Sequence, residues 1–388
     1  MDYRILLSLA VILIGTKLLG LLAKRIHLPE VAGMLLAGVI LGPMVLNFAQ
    51  PSDFLSSLSQ IGVIVLMFTA GVEADFEEIK KNFRASFVIA LTGVLFPLGI
   101  GYLVAHCHGV GAGESNAILR KVFVGIILTA TSVSITVETL REMGKLTGKT
   151  GNTILAAAII DDVLGMIGLA AVSSLTSGGR MLPAVGKMLL FFLLAAAVGL
   201  VLRKLLAEWF DSFRENHQRF TTVALAAAFI FAYLAEHYFG VADITGAFVA
   251  GIIFSGSKRS GYITSRIGVI SKTLLSPAFF AGIGLQMVLP HITLSLVGFS
   301  GSLLIAAIVS KIAGCGLGAR FMGYSQQESL QIGIGMFSRG EVALIMASRG
   351  VSMGLLSSEV LTPIIIVVLI STILTPVFLK LVFGPGVL

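Results

Sequence analysis

Long apolar runs alternate with short polar or Gly/Pro-rich breaks along the whole chain, at 3–24, 30–48, 55–73, 83–106, 119–141, 150–175, 183–207, 219–239, 243–257, 270–289, 292–319, 325–349 and 360–383. About twenty apolar residues in a helix are enough to cross the hydrocarbon layer. The pattern therefore predicts an all-α membrane protein with thirteen spans, the run at 243–257 being short for a full crossing. The first run has no basic leader and no small-residue cleavage site, and it ends in Lys24-Arg25. It reads as a retained helix rather than a signal peptide.

Thirteen is odd, so the termini are expected on opposite sides of the bilayer. With the N-terminus outside, eighteen Lys and Arg residues fall in cytoplasmic loops and six in outer ones, while Lys17, Lys311 and Arg339 lie within spans. That bias is the one the positive-inside rule requires, and it predicts a cytoplasmic C-terminus. Composition agrees with the class: 56% of residues are hydrophobic, only 12% are charged, and the mean hydropathy is +0.99. The net charge of +7 comes from loop residues with no aromatic interleaving, so it reads as topology and predicts no nucleic-acid partner.

The chain also repeats itself. Val31-Ala32-Gly33-Met34-Leu35-Leu36-Ala37-Gly38 in span two aligns with Ile244-Thr245-Gly246-Ala247-Phe248-Val249-Ala250-Gly251 in span nine. Phe68-Thr69-Ala70-Gly71-Val72 in span three aligns with Phe280-Ala281-Gly282 in span ten at nearly the same offset. Small residues at such spacing pack helices closely, and two matches at nearly one offset point to a duplicated unit. A shift of seven spans reverses direction in the membrane. The expected architecture is six spans, a linker span at 183–207 and six inverted spans, with two broken helices that cross. Inverted repeats characterise alternating-access transporters, whose sites lie near the midplane between discontinuous helices.

The polar groups inside the spans fit that expectation. Span six holds Asp161 and Asp162 side by side in an apolar run, where an ionised carboxylate is costly and usually functional. Neighbours on a helix point about 100° apart, so one acid can face an ion path while the other faces a partner helix. Lys311 and Arg339 are the deep bases. With one nearby amine for two acids, one carboxylate is left to bind a cation or a proton. Spans five and twelve, matched by the repeat, look unable to stay helical. One carries Thr129-Ala130-Thr131-Ser132-Val133-Ser134-Ile135-Thr136 and the other Gly333-Ile334-Gly335-Met336-Phe337-Ser338-Arg339-Gly340-Glu341. Freed carbonyls and hydroxyls there would suit a hard monovalent cation, and broken backbone is tolerated only where it lines protein or a cavity. Arg339 and Glu341 are expected to offset helix-end charges at the second break or to pair with each other. Cys107 and Cys315 read as packing residues. His106-Cys107-His108 lacks the second cluster a metal site needs, and the remaining histidines, His27, His217, His237 and His291, fall at span ends or in loops.

Thr129-Ala130-Thr131-Ser132-Val133, Ile160-Asp161-Asp162-Val163-Leu164-Gly165, Lys311 and Ser338-Arg339-Gly340-Glu341-Val342 together resemble the monovalent cation:proton antiporter-2 family of bacterial sodium/proton exchangers. Gly33 to Pro43 and Ile244 to Ser255 are similar to that family's repeat-matched interface helices, so the likeness covers nearly the whole chain. It implies a homodimer in the bacterial inner membrane, whose core moves like an elevator against a scaffold. Scaffold helices would occupy residues 1–76 and 211–290, core helices 77–178 and 291–388, and the linker helix 179–210. Carried over by position, Asp162 would be the cation and proton carboxylate, with Asp161 paired to Lys311 in the absence of cation. Thr131 and Ser132 would lie beside the site, and Arg339 and Glu341 on the opposing broken helix. Many family members have proline where this chain has Ser338. Potassium-efflux relatives carry a nucleotide-binding domain and a glutamine at the position of Asp161, which favours the electrogenic sodium branch here.

The expected activity is exchange of cytoplasmic Na+, with Li+ and K+ as alternative cargoes, for external H+, without a cofactor and without enzymatic chemistry. The nearest rivals are a K+/H+ antiporter of the same fold and a sodium-coupled organic-anion symporter, which would need a larger cationic cavity. A cation channel would give unitary currents instead of saturable, proton-coupled flux. An intramembrane aspartyl protease needs acids converging from separate helices, whereas these are adjacent on one.

Overall fold

A computed structural model describes residues 4–26, 28–113, 116–177, 181–212, 218–255, 257, 259–285 and 294–384. Its elements in chain order are α1 (Arg4–Arg25), α2 (Glu30–Leu41), α3 (Asp53–Glu73), α4 (Phe76–Lys81), α5 (Phe83–Cys107), α6 (Ala117–Ile127), α7 (Val133–Glu142), α8 (Lys149–Ser177) and α9 (Met181–Ser212). There follow α10 (Gln218–Phe239), α11 (Asp243–Phe254), α12 (Ser260–Ile270), α13 (Ser276–Leu285), α14 (Leu294–Phe321), α15 (Gln326–Gly335), α16 (Glu341–Ser352) and α17 (Ser358–Phe383). No strand occurs among the described residues. Nine helices among them are long and apolar enough to cross a membrane; α2 and α11 are apolar but shorter.

Local chemistry sets many of the ends. Ser52 caps α3 by accepting from the Leu55 N–H, and Asp75 caps α4 by accepting from Glu77 and Glu78. Ser325 and Glu328 form a reciprocal capping box at the start of α15. The expected span at 270–289 is displaced: the helix starts at Ser260 and continues through a widened π-helical turn at Ser271–Leu275 into α13. Pro277, just after that turn, has no N–H to offer the carbonyl one turn back, which favours a local departure from α geometry. Polar residues such as Ser260, Thr264 and Arg266 disguise this first part as a loop in the hydropathy pattern. His27, His217 and His291 lie outside the described residues.

Small residues let the short helices sit deep. Gly38 on α2 packs against the Ala281 carbonyl of α13, and Gly251 on α11 against the Phe68 carbonyl of α3. Gly71 on α3 meets the Phe248 carbonyl in return, so α3 and α11 touch backbone to backbone. Without a hydrophobic driving force in lipid, this close approach is what holds helices together. α2 also packs on α1, and α11 on α10. A second set of contacts joins α5 to α14, α6 and α8, α14 to α15 and α17, and α16 to α17. The helix α9 touches α8 as well as α10 and α11.

Candidate functional site

Two helices fail at the places where the sequence is rich in hydroxyls and glycine. α6 ends at Ile127 and α7 begins at Val133; α15 ends at Gly335 and α16 begins at Glu341. The two gaps are stitched to each other. The Ser132 N–H donates to the Ser338 carbonyl at 2.9 Å, and the Ser338 hydroxyl donates to the Ser132 carbonyl at 2.7 Å. Thr136 Oγ1 donates to the Gly335 carbonyl at 2.8 Å and lies 3.1 Å from Ser338 Oγ. Gly340 is needed here, since a Cβ would fall 2.6 Å from Ser132 Oγ. Thr372 on α17 donates to the Arg339 carbonyl at 2.5 Å. These bonds supply partners for backbone groups that the broken helices leave open, as a water-poor environment demands.

Against this crossing lies the charged centre. Asp161 on α8 and Lys311 on α14 have fully buried side chains, and Nζ stands 2.6 Å from Oδ1. The same ammonium donates to the Thr129 carbonyl at 2.8 Å, inside the first gap. Thr131 Oγ1 donates to the second carboxylate oxygen, Oδ2, at 2.7 Å and approaches the Met336 carbonyl at 3.2 Å, inside the other gap. One carboxylate, one ammonium and one hydroxyl thus tie α8, α14 and both unwound segments together. Asp162 is 5% exposed and follows Asp161 on α8, so it points to another face. Arg339 is 1% exposed, with one amino group 3.4 Å from the Ala307 carbonyl, and its charge acts on Asp161.

The structure brings Asp161, Lys311 and Thr131 into direct contact, and places Ser132 at the crossing, bonded to Ser338, with its hydroxyl 3.3 Å from Ser134 Oγ. Arg339 lies in the second gap; the Glu341 side chain falls outside the described residues. Thr372 and the Thr129 and Met336 carbonyls are participants that the sequence reading gave no role of their own. Ser371-Thr372-Ile373-Leu374-Thr375, three hydroxyls in an apolar span, was the available signal for Thr372. Cys315 is buried one turn from Lys311, and Cys107 is exposed.

A cavity of ≈ 400 Å³ opens between α3, α10, α11 and α13 on one side and α8 and α16 on the other. Ser56, Gln60, Glu236, Asp243 and Arg349 are among its polar lining residues, and Met166, one turn along α8 from Asp162, lines it too. No group of three or more His, Cys, Asp or Glu suited to a metal ion occurs among the described residues.

A buried ion pair at the crossing of two interrupted helices, in a molecule made of apolar helices, is the arrangement expected of a membrane transporter. Residues 9–383 match the family model described as the transmembrane sodium/hydrogen exchanger, and the chain belongs to that family. It is 38% identical to the Na(+)/H(+)-K(+) antiporter GerN of Bacillus cereus, over 99% of this chain and 97% of that protein. It is 34% identical to the Na(+)/H(+) antiporter of Enterococcus hirae, over 96% of each. Among solved structures it is similar to the sodium proton antiporter MjNhaP1 of Methanocaldococcus jannaschii, with a TM-score of 0.70 at 19% identity over 97% of this chain and 96% of that one. That likeness is one of fold.

Proposed function

We propose that this chain exchanges cytoplasmic Na+ for external H+ by alternating access, with Asp162 as the cation and proton carboxylate and the Asp161–Lys311 pair as its coupled partner. The observation that carries the reading is the fully buried Asp161–Lys311 pair, next in sequence to Asp162 and held by Thr131 and the Thr129 carbonyl at two unwound segments. A small alkali ion needs several oxygen ligands. Carboxylates, the Thr131 and Ser132 hydroxyls and freed carbonyls are available in this one place. Sodium arriving from the cytoplasm competes with the protons held by the acids and by Lys311; the loaded core shifts, sodium leaves, and external protons reload it. Competition for one site couples the fluxes without simultaneous occupancy. If more than one proton returns per cation, exchange is electrogenic and responds to potential at about 2.3 kcal/mol per charge per 100 mV.

Several observations support the finer architecture. Among the described residues, nine long helices, the short α2 and α11 and the two interrupted segments are the elements that a thirteen-span, 6+1+6 arrangement calls for. Gly38 and Gly251, aligned by the repeat, both seat on the backbone of a third helix, α13 and α3. The separate packing of α1–α3 with α10–α13 and of α5–α8 with α14–α17 supports a scaffold and a moving core, with α9 as linker. The N-terminus is assigned to the outside and the C-terminus to the cytoplasm by the charge bias, and a homodimer in the inner membrane follows from the family likeness. A K+/H+ exchanger is the second reading, favoured by the B. cereus relative, an Na(+)/H(+)-K(+) antiporter.

The test is a panel of Na+, Li+ and K+ in reconstituted vesicles read by an internal pH dye, with and without a potential clamp. Wild type is expected to show sodium-driven proton movement and Asp162→Asn none. Retained exchange in Asp162→Asn excludes it as the carrier; proton movement with K+ alone selects the second reading.

A further inference from the structure

The two half-helices that leave the crossing, α7 and α16, each carry an arginine at their ninth residue, Arg141 and Arg349. Their surroundings differ sharply. Arg141 is 13% exposed and held on all sides: Nε stands 2.8 Å from Glu73 Oε2 on α3 and one amino group 2.7 Å from Glu138 on its own helix. The other amino group donates to Thr69 Oγ1 at 3.2 Å and lies 3.5 Å from the Leu66 carbonyl, both on α3. The next residue, Glu142, accepts the Glu30 N–H at 2.7 Å, at the half-buried first residue of α2. This end of α7 is therefore fastened to two helices of the opposite packing set. A cavity of ≈ 500 Å³ on the same side is lined by Glu73 and Arg141 and, among the described residues, by none of α8 or α14.

Arg349 is exposed and lines the ≈ 400 Å³ cavity that reaches Met166 on α8. Glu236 on α10 and Asp243 at the start of α11 line the same cavity, and both Asp243 and Arg349 act electrostatically on Glu236. No ion pair joins Arg349 to either acid among the described residues; Asp243 is engaged by Gln60 at 3.1 Å. Asp243 and Glu30 are each the first residue of a twelve-residue helix, α11 and α2, which the repeat aligns. An arginine at the ninth residue of each half-helix therefore faces acids of the other packing set at both ends of the molecule, in contact at one end and parted at the other.

We infer that Arg141–Glu73 is a clamp that shuts the cytoplasmic path in the state seen here, and that Arg349 closes on Glu236 and Asp243 to shut the outer path in the opposite state. This rests on the inverted-repeat, alternating-access reading given above. These arginines act by positioning: they touch neither the carried ion nor Asp162, and they set which side of the core is open. Only one clamp is closed at a time, because the rigid core carries both half-helices. Releasing one favours the state in which the other forms.

The test uses full-length protein in oriented vesicles with exposed Cys107→Ser and a reporter, Ser56→Cys, on the outer cavity wall. Labelling by an external, membrane-impermeant maleimide reports the outward-open fraction. Arg141→Gln is expected to slow labelling and Arg349→Gln to speed it, each by up to about fivefold, as a partly exposed ion pair allows. Arg349→Lys and the exchanged pair Glu73→Arg/Arg141→Glu are expected to return it toward the parent rate, which a merely structural role would not produce. Labelling that is unchanged, or that moves in the same direction in both glutamine variants, overturns the clamp while leaving exchange by the parent intact. A parent that carries no cation-driven protons overturns the antiporter reading, and the clamp with it.

Discussion

Removing the charge of Asp161 while keeping its shape gives the sharpest test of the charged centre. In Asp161→Asn, Lys311 keeps its ammonium at zero exposure, with the Thr129 carbonyl at 2.8 Å as its remaining close partner and an amide in place of the carboxylate that stood 2.6 Å away. At an effective dielectric of about 20, two unit charges at that distance attract by about 6 kcal/mol, most of which offsets the desolvation of both groups. Breaking such a pair from one side costs about 3–5 kcal/mol, because a buried charge loses its counterion. Taking about 2 °C per kcal/mol, the apparent melting midpoint of purified protein should fall by about 6–10 °C. Lys311→Met should cost a similar amount by stranding the carboxylate. The double variant Asp161→Asn/Lys311→Met leaves no buried charge to strand, so it should lose less than the sum of the single losses by at least about 2 kcal/mol. The assay is a heat-denaturation cycle of the four proteins in one detergent, free of sodium. Strictly additive losses would refute the pair as an energetic unit.

Two further outcomes test other parts of the structure. Lys311→Gln should lower or abolish the potential dependence of exchange while sparing transport, since the amine would no longer carry a proton; voltage dependence equal to wild type in clamped vesicles would argue against it. Gly251→Val would drive a side chain into the Phe68 carbonyl, and should cost about 1–3 kcal/mol by forcing α3 and α11 apart, visible as a lower melting midpoint.

Membrane placement, the approximate spans and the sites of helix failure were legible in the linear pattern for physical reasons. Hydrocarbon demands long apolar runs, and an acid, a base or a cluster of hydroxyls within one is costly unless it has a task. Asp161, Asp162, Lys311 and the stretches around Thr131 and Ser338 stood out for that reason. The small-residue match between α2 and α11 was legible because only small residues allow their close backbone contacts, and small residues leave a pattern. The start of α12 at Ser260 was hidden, because polar side chains on a helix that meets water or protein carry no hydropathy signal.

The sequence by itself determined the class of molecule and the polar groups that stand inside its spans, because burial in lipid penalises polar residues wherever they occur along the chain. It left open which of them meet. That Thr131 bridges Asp161 and the second gap, that Ser338 locks onto Ser132, and that Arg141 grips Glu73 while Arg349 faces a cavity were decided by tertiary structure alone. Each joins residues dozens to hundreds of positions apart, and a hydrogen bond or ion pair exists only where packing brings donor and acceptor within about 3 Å.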